Sequence, residues 1–338
     1  MNEMASGVLQ PAQADNTLMA EVEAIIADLA AARLAIGQQV FGQESVVENS
    51  LITLLAGGHG LIVGVPGLAK TRLVDTLGKV LGLETRRIQF TPDLMPSDIL
   101  GSEILEEASD KSRHFRFIKG PVFAQLLMAD EINRASPRTQ SALLQSMQEH
   151  QVTIAGVAHD LPRPFHVLAT QNPVEQEGTY PLPEAQLDRF LLQIDVGYPD
   201  EATERRILLE TTSDLHTPTA TILSAEKLMA AQTLVRRLPV GDRIVEAILD
   251  IVRAARPGEG DAAITKHIAW GPGPRAAQAL MLASRARALV DGRLSPSLDD
   301  IRALATPVLK HRMALTFAAR AEGETIGGVI KRLVERIG

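Results

Sequence analysis

Apolar positions recur at helical spacing over 18–36, which predicts an amphipathic helix that Gly37 is placed to end; residues 1–16 before it are polar and expected to be loose. A second helical stretch follows Val40-Phe41-Gly42-Gln43 and runs to about residue 55. Beyond it the period changes repeatedly. The clearest strands are 61–64, 87–91, 126–130, 167–171 and 190–195, and helical spacing fills the intervals, beginning with 72–81. Buried strands joined by helices predict an α/β core, a parallel five-stranded sheet covered on both faces with ligands outside the carboxyl ends of its strands. Two segments interrupt the pattern, 103–117 and 151–167, where short alternating runs flank a turn; they read as projecting β-hairpins, with plain surface loops as the alternative. From Tyr198-Pro199-Asp200 onward helical patterns take over, at 201–213, 225–237, 242–256, 275–291, 297–311 and 324–336. The expected division is a tail and helix at 1–36, an αβα core at 37–200 with hairpins near 101–119 and 151–165, and an all-helical domain at 220–338. The boundary falls within 198–222, where Thr211-Thr212-Ser213 and Thr217-Pro218-Thr219 break the periodicity.

A chain of 338 residues, 45% of them hydrophobic, can fill such a two-domain core. Cysteine is absent, which excludes disulfides and cysteine metal sites, and Met1-Asn2-Glu3-Met4-Ala5 has neither a basic start nor an apolar run to suggest a secretory leader. Both fit a reducing cytoplasm. Residues 51–69 carry no formal charge over nineteen positions, yet five glycines, Pro66 and His59 make helix end, strand and loop the better reading than a membrane span. The net charge of −7, from 34 basic and 41 acidic side chains, sets up no global field toward nucleic acid or anionic lipid. Aromatics at 3% leave little for stacking bases, so nucleic acid is not an expected partner, although a local basic pore stays open.

The strongest chemical signal is Gly64-Val65-Pro66-Gly67-Leu68-Ala69-Lys70-Thr71, with Arg72 following, set between the 61–64 strand and the 72–81 helix. Strand, loop and helix in that order let loop N–H groups cradle the phosphates of ATP at a helix N-terminus, Lys70 reach the β- and γ-phosphates, and the Thr71 hydroxyl ligate Mg²⁺. Alone, the motif could be an ordinary glycine-rich turn. It departs from the usual pattern at Ala69, where glycine is expected: either that position takes φ below zero or Gly67 carries the tight turn.

The run 126–130 ends in two adjacent acids, Asp130 and Glu131, whose side chains point in different directions along a strand. Asp130 can hold Mg²⁺ through water beside Thr71, and Glu131 can polarise the water that attacks the γ-phosphate. A solvated acidic turn is the bland alternative. Asn172 ends the 167–171 strand and can bond the γ-phosphate or its attacking water, or simply make a turn before Pro173.

Together these residues resemble a family. The loop 64–71, Asp130-Glu131-Ile132-Asn133-Arg134-Ala135, Ala169-Thr170-Gln171-Asn172-Pro173 and Glu184-Ala185-Gln186-Leu187-Asp188-Arg189-Phe190 are similar to those of the MoxR family of AAA+ ATPases, as is Ala69 itself. The likeness runs from about residue 36 to the C-terminus. It implies an ATP-binding core followed by a helical lid, a helix-two insert within 90–123 and a pre-sensor hairpin at 151–165. It assigns Arg189 as the arginine finger that reaches a neighbour's γ-phosphate, against a plain Asp188–Arg189 surface pair. Arg275, after a proline-glycine turn, is assigned as a second sensor acting in cis. Arg134 and Arg138 are further candidates for the next subunit, with a surface salt bridge as the alternative for Arg138. Val40, Phe41 and Gly42 stand where the family packs adenine. A ring, expected to be a hexamer, follows from a cation donated in trans, and the family's work is remodelling or metal-cofactor maturation of client proteins, commonly with a partner carrying a von Willebrand factor A domain. Rival readings are a nucleic-acid motor using Arg113, Arg116 and Lys119, a nucleotide-gated scaffold with little turnover, and a small-molecule kinase.

Overall fold

The computed structural model describes residues 11–107, 113–174, 178–212 and 218–337. Helix α1 (Pro11–Gly37) packs on α2 (Glu44–Leu55), which leads into β1 (Gly60–Val63) and, after the glycine-rich loop, α3 (Lys70–Val80). The uncharged stretch 51–69 is therefore helix end, strand and loop, and no described helix is long and apolar enough to cross a membrane. Next come β2 (Thr85–Gln89), α4 (Pro96–Leu100), a hairpin of β3 (Gly101–Glu107) and β4 (Arg113–Lys119), β5 (Leu126–Asp130) and α5 (Pro137–Glu149). A second hairpin, β6 (Gln151–Ile154) and β7 (Val157–Asp160), precedes β8 (His166–Gln171), α6 (Glu184–Leu187) and β9 (Leu192–Asp195). Both interruptions of the sequence pattern are thus antiparallel hairpins; the turn of the first, 108–112, lies outside the described residues.

Strands β1, β2, β5, β8 and β9 form one parallel sheet in the order β2-β5-β8-β1-β9. The inner strands β5, β8 and β1 are covered on both faces, which is why the sequence shows near-continuous apolar runs there instead of alternation, whereas β2 at the edge is polar and largely exposed. Along β1 the pleat sends Leu61 into the core shared with α5, Phe90 and the second hairpin, and Ile62 into the core shared with α2, α3 and the C-terminal helices.

After β9 the chain is helical: α7 (Glu201–Thr211), α8 (Ala225–Arg237), α9 (Asp242–Ala254), α10 (Ala262–Thr265), α11 (Pro274–Val290), α12 (Leu298–Leu309), α13 (Phe317–Ala321) and α14 (Ile326–Val334). A small antiparallel ribbon, β10 (Ile268–Trp270) with β11 (Ala314–Leu315), joins them; three and two residues are too few to register as periodicity. The helical domain is locked to α2 by charge as well as by apolar packing. Asp300, fully buried, accepts from Arg293 at 2.6 Å and from Arg287 at 2.7 Å, and Arg287 also donates to Glu48 of α2 at 3.0 Å. Asp300 additionally accepts from the Ser297 N–H at 2.7 Å, capping α12, so its placement serves helix start and domain junction together.

Three histidines are built in as neutral groups. His59 accepts from the Val167 N–H through Nδ1 at 3.0 Å while Nε2 donates to the Met147 carbonyl, and His166 donates to the Gly58 carbonyl at 2.8 Å while Nε2 accepts from the Gln232 amide of α8. A second ring proton would break one bond in each. Burial holds His59 down to about 3, His166 to about 4 and His311, bonded to the Phe190 carbonyl, to about 3. Since the unfolded value is near 6.5, stability is fully present above that pH and is lost as pH falls through the window between 6.5 and the folded values. Each histidine withdraws about 1 kcal/mol by pH 5.5, above the carboxylate range. Urea midpoints are expected to drop clearly from pH 7.5 to 5.5, with a shallower drop in His59→Gln; a flat profile contradicts neutral burial.

Candidate functional site

The carboxyl ends of the strands gather the sequence-predicted chemistry. The Gly64 N–H bonds the Gln171 carbonyl at 3.2 Å, and the Val196 N–H bonds the Val63 carbonyl at 2.8 Å, so the loop 64–71 rises between the ends of β8 and β9. Gly64 has no room for a side chain, since a Cβ there would lie 2.8 Å from the Val196 carbonyl oxygen. Gly67 takes φ +84°, and the unusual position is also left-handed: Ala69 sits at φ +54°, ψ +21°, as the residue capping α3. The expectation of a negative φ at Ala69 fails, and both residues carry the turn. From Val65, Pro66 and Leu68 through Lys70, Thr71 and Arg72 the loop feeds a helix whose first-turn N–H groups have no intrahelical acceptor, the arrangement that receives an anion. Lys70 donates to the Gly64 carbonyl, folded over its own loop.

Asp130 is buried at the end of β5, where its carboxylate accepts from Arg87 of β2 at 2.6 Å and from the Thr170 hydroxyl of β8 at 2.5 Å. Thr170 in turn accepts from the Glu131 N–H at 2.8 Å, so one hydroxyl ties both acids to the neighbouring strand. Glu131 lies in the left-handed region at φ +54°, which turns its side chain away from Asp130. Gln89 at 2.8 Å and Arg134 at 3.4 Å both donate to Oε2, and among the described residues Oε1 takes no protein donor. Arg134 thus contacts Glu131 of its own subunit, while Arg138 is exposed on α5. Asn172 is buried, and its carbonyl accepts from the Val174 N–H at 3.2 Å; it makes the turn and stands at the strand end that points to the loop. Thr71 and Arg87, the partner of Asp130, line one cleft. An oxygen donor set of Thr71 and Asp130 suits a hard divalent cation such as Mg²⁺.

Beside the loop, Val40 and Phe41 are buried and Gly42 takes φ +63°, where a Cβ would strike Thr203 of α7 at 2.4 Å. Arg206 of α7 lies 4.3 Å from the centre of the Phe41 ring and Arg72 5.8 Å from it, with Arg72 also donating to Gln39. The junction of α1 and α2, the start of α3 and α7 thus converge next to the loop.

The two remaining arginines lie elsewhere. Arg189 precedes β9 at the amino end of the sheet, where the Leu191 N–H bonds the His59 carbonyl, and its guanidinium donates to the Leu144 carbonyl of α5 at 2.5 Å. Arg275, opening α11, stands 3.8 Å from the Asp188 carboxylate. Arg189 and Arg275 line one cavity of about 420 Å³ together with Arg236, Arg312, His59 and His150. A four-residue strand is roughly 13 Å long, so this cationic cavity and the phosphate loop face away from each other across the sheet. Arg275 is not positioned as a cis sensor; it accompanies the finger. Asp188, moreover, pairs with Arg312 at 2.7 Å and with Arg275, leaving Arg189 clear of the surface pair entertained from sequence. In the first hairpin, Arg113 pairs with Glu107 and Arg116 with Glu106 on the exposed face, and Lys119 lies 5.2 Å from the centre of the Phe123 ring.

Comparison with known proteins agrees with this geometry. Residues 59–192 match the family described as ATPase family associated with various cellular activities (AAA), and residues 261–333 match the AAA lid domain. The chain is 42% identical over 301 residues to Chaperone MoxR1 of Mycobacterium tuberculosis, covering 88% of this chain and 78% of that protein. It belongs to the MoxR family of AAA+ ATPases. Protein MoxR of Paracoccus denitrificans is 30% identical over 87% of this chain and 91% of its own length. A crystal structure of a Cytophaga hutchinsonii protein, 36% identical, superimposes with a TM-score of 0.87 over 96% of this chain and 98% of that one.

Sequence reasoning about this MoxR-family chain missed the residues that hold the named ones: Arg87, Thr170, Gln89, Arg206 and Arg312. One left a signal, because Thr170 is a polar residue in an apolar run. A left-handed alanine costs about 1–2 kcal/mol. Glycine removes that cost but loses about 0.4–1 kcal/mol through the freer unfolded chain. Ala69→Gly is therefore expected to be neutral or stabilising by up to about 1.6 kcal/mol in urea denaturation, with nucleotide binding kept; a loss above about 1 kcal/mol contradicts the strained turn.

Proposed function

We propose that this chain hydrolyses ATP as a closed ring, expected to be a hexamer, and spends the resulting lid motion on client proteins. The observation that carries the reading is the division of its chemistry between the two ends of one sheet. The phosphate loop, Asp130, Glu131 and Asn172 stand at one end, and the arginines Arg189 and Arg275 at the other. A head-to-tail contact brings the second set of one subunit to the first set of the next, and repetition of such a contact closes into a ring.

In this reading the N–H groups of 64–72 and Lys70 hold the triphosphate, and Val40, Phe41 and Gly42 receive the adenine. Thr71 and Asp130, the latter through water, would hold Mg²⁺, which would supply charge neutralisation for the phosphates. Glu131 orients the attacking water through its Oε1, and Asn172 bonds the γ-phosphate or that water. Arg189 and Arg275 from the neighbour stabilise the charge that develops as the phosphoryl group leaves, a contribution of about 10³ to 10⁵ in rate for such a cation. The relative named Chaperone MoxR1 supports client remodelling as the output. A partner with a von Willebrand factor A domain and a cytoplasmic setting belong to the same proposal.

Two substitutions test the nucleotide chemistry. Lys70→Ala is expected to abolish tight ATP binding in calorimetry, and unchanged affinity contradicts the loop's role. Glu131→Gln is expected to bind ATP normally while turnover falls at least about 100-fold; a normal steady-state rate overturns the assignment.

A further inference from the structure

Arg312 lines the cation cavity, yet its own donors are all turned to the chain on either side of Arg189 and to its own helix. It ends the short turn after α12, within the basic run Lys310-His311-Arg312 that reads in sequence as surface, yet it is 2% exposed. A guanidinium has five N–H donors, and here all five are used. Nε donates to the Asp188 carboxylate at 2.7 Å, one Nη to the Leu191 carbonyl at 3.1 Å and the Val308 carbonyl at 2.6 Å, and the other to the carbonyls of Asp188 at 3.2 Å and Phe190 at 2.7 Å. His311 adds a second donor to the Phe190 carbonyl at 2.9 Å.

The acceptors are the residues on both sides of Arg189. Residues 188, 190 and 191 are pinned to the helical domain, and the side chain of 189 is turned the other way, toward α5 and the cavity. The same Asp188 carboxylate stands 3.8 Å from Arg275, so one anion faces both Arg312 and Arg275.

We infer that Arg312 is the positioning residue for the trans-acting arginines: it fastens the segment carrying Arg189 to the domain carrying Arg275 and so sets the geometry that one subunit presents to its neighbour's ATP. This inference rests on the proposed trans site and deepens it. Because Arg312 belongs to the helical domain, a shift of that domain in one subunit carries the finger offered to the next. Lysine keeps the charge but has three donors on a flexible stem, and it cannot hold one carboxylate and four carbonyls in a plane.

The test uses the full chain. Arg312→Lys is expected to lower kcat at least tenfold while its affinity for ATP, bound at the other end of the sheet, stays within about twofold. Mixed with Lys70→Ala subunits it is expected to recover turnover, because intact fingers then face its own sound phosphate loops; a merely destabilised subunit gains nothing from a healthy neighbour. A parallel mixture of Arg189→Ala with Lys70→Ala separates the two claims. Recovery in both mixtures supports the role of Arg312. Recovery in the Arg189→Ala mixture alone, or wild-type turnover by Arg312→Lys, overturns it. No recovery in the Arg189→Ala mixture overturns the trans reading and the role of Arg312 with it. Should Arg312→Lys yield no folded protein, Asp188→Ala, which removes one of the five acceptors, goes through the same mixtures and is judged by the same outcomes.

Discussion

Parallel hydrogen bonding holds β1 between β8 and β9 in fixed register, and that register sets how far apart the loop after β1 and the segment before β9 must stay. Strands of four residues in a covered sheet do not bend, so a group at one end cannot reach the other by side-chain rotation. The phosphate loop and both acids inherit the carboxyl end, whereas Arg189 and, through Asp188, Arg275 inherit the amino end. In the proposed ring, what a second copy contributes is thus set by sheet geometry before any interface is considered.

The carboxyl end also concentrates backbone strain. Ala69 and Glu131, neither of them glycine, both take φ +54°, one at the turn into α3 and the other just beyond β5. Such conformations persist only where surrounding bonds over-determine them. Around Glu131 those bonds are visible: the Thr170 hydroxyl on its N–H, with Gln89 and Arg134 on its carboxylate. Strain of this kind turns two neighbouring acids apart, Asp130 toward Arg87 and Thr170 and Glu131 toward Gln89 and Arg134. At the amino end the equivalent service is electrostatic, with Asp188 set among Arg312, Arg275 and the cavity.

Much of this was legible in the chain itself. The five strands, both hairpins and the change to helices after 200 follow from period and turn chemistry, and strand bounds shift by only one or two residues, as at β2 and β8. The loop and the paired acids announce themselves because few other arrangements of those residue types have a chemical use. Three things were hidden. The sign of φ at Ala69 depends on the helix that follows, not on the residue. Whether Arg275 serves its own subunit depends on how the helical domain docks, which the buried Asp300–Arg287–Glu48 connection decides over more than two hundred residues of separation. Arg312 looks like part of a solvated basic run, and only its burial shows that each donor is spoken for.

The account stands on a site that no single subunit can complete. Turnover per subunit, followed across protein concentration alongside the assembly mass in Mg-ATP, tests this directly. The expected result is a rate per subunit that falls steeply as the ring dissociates and tracks the ring population. A rate per subunit that stays constant down to concentrations where only the lone protomer is present would contradict it.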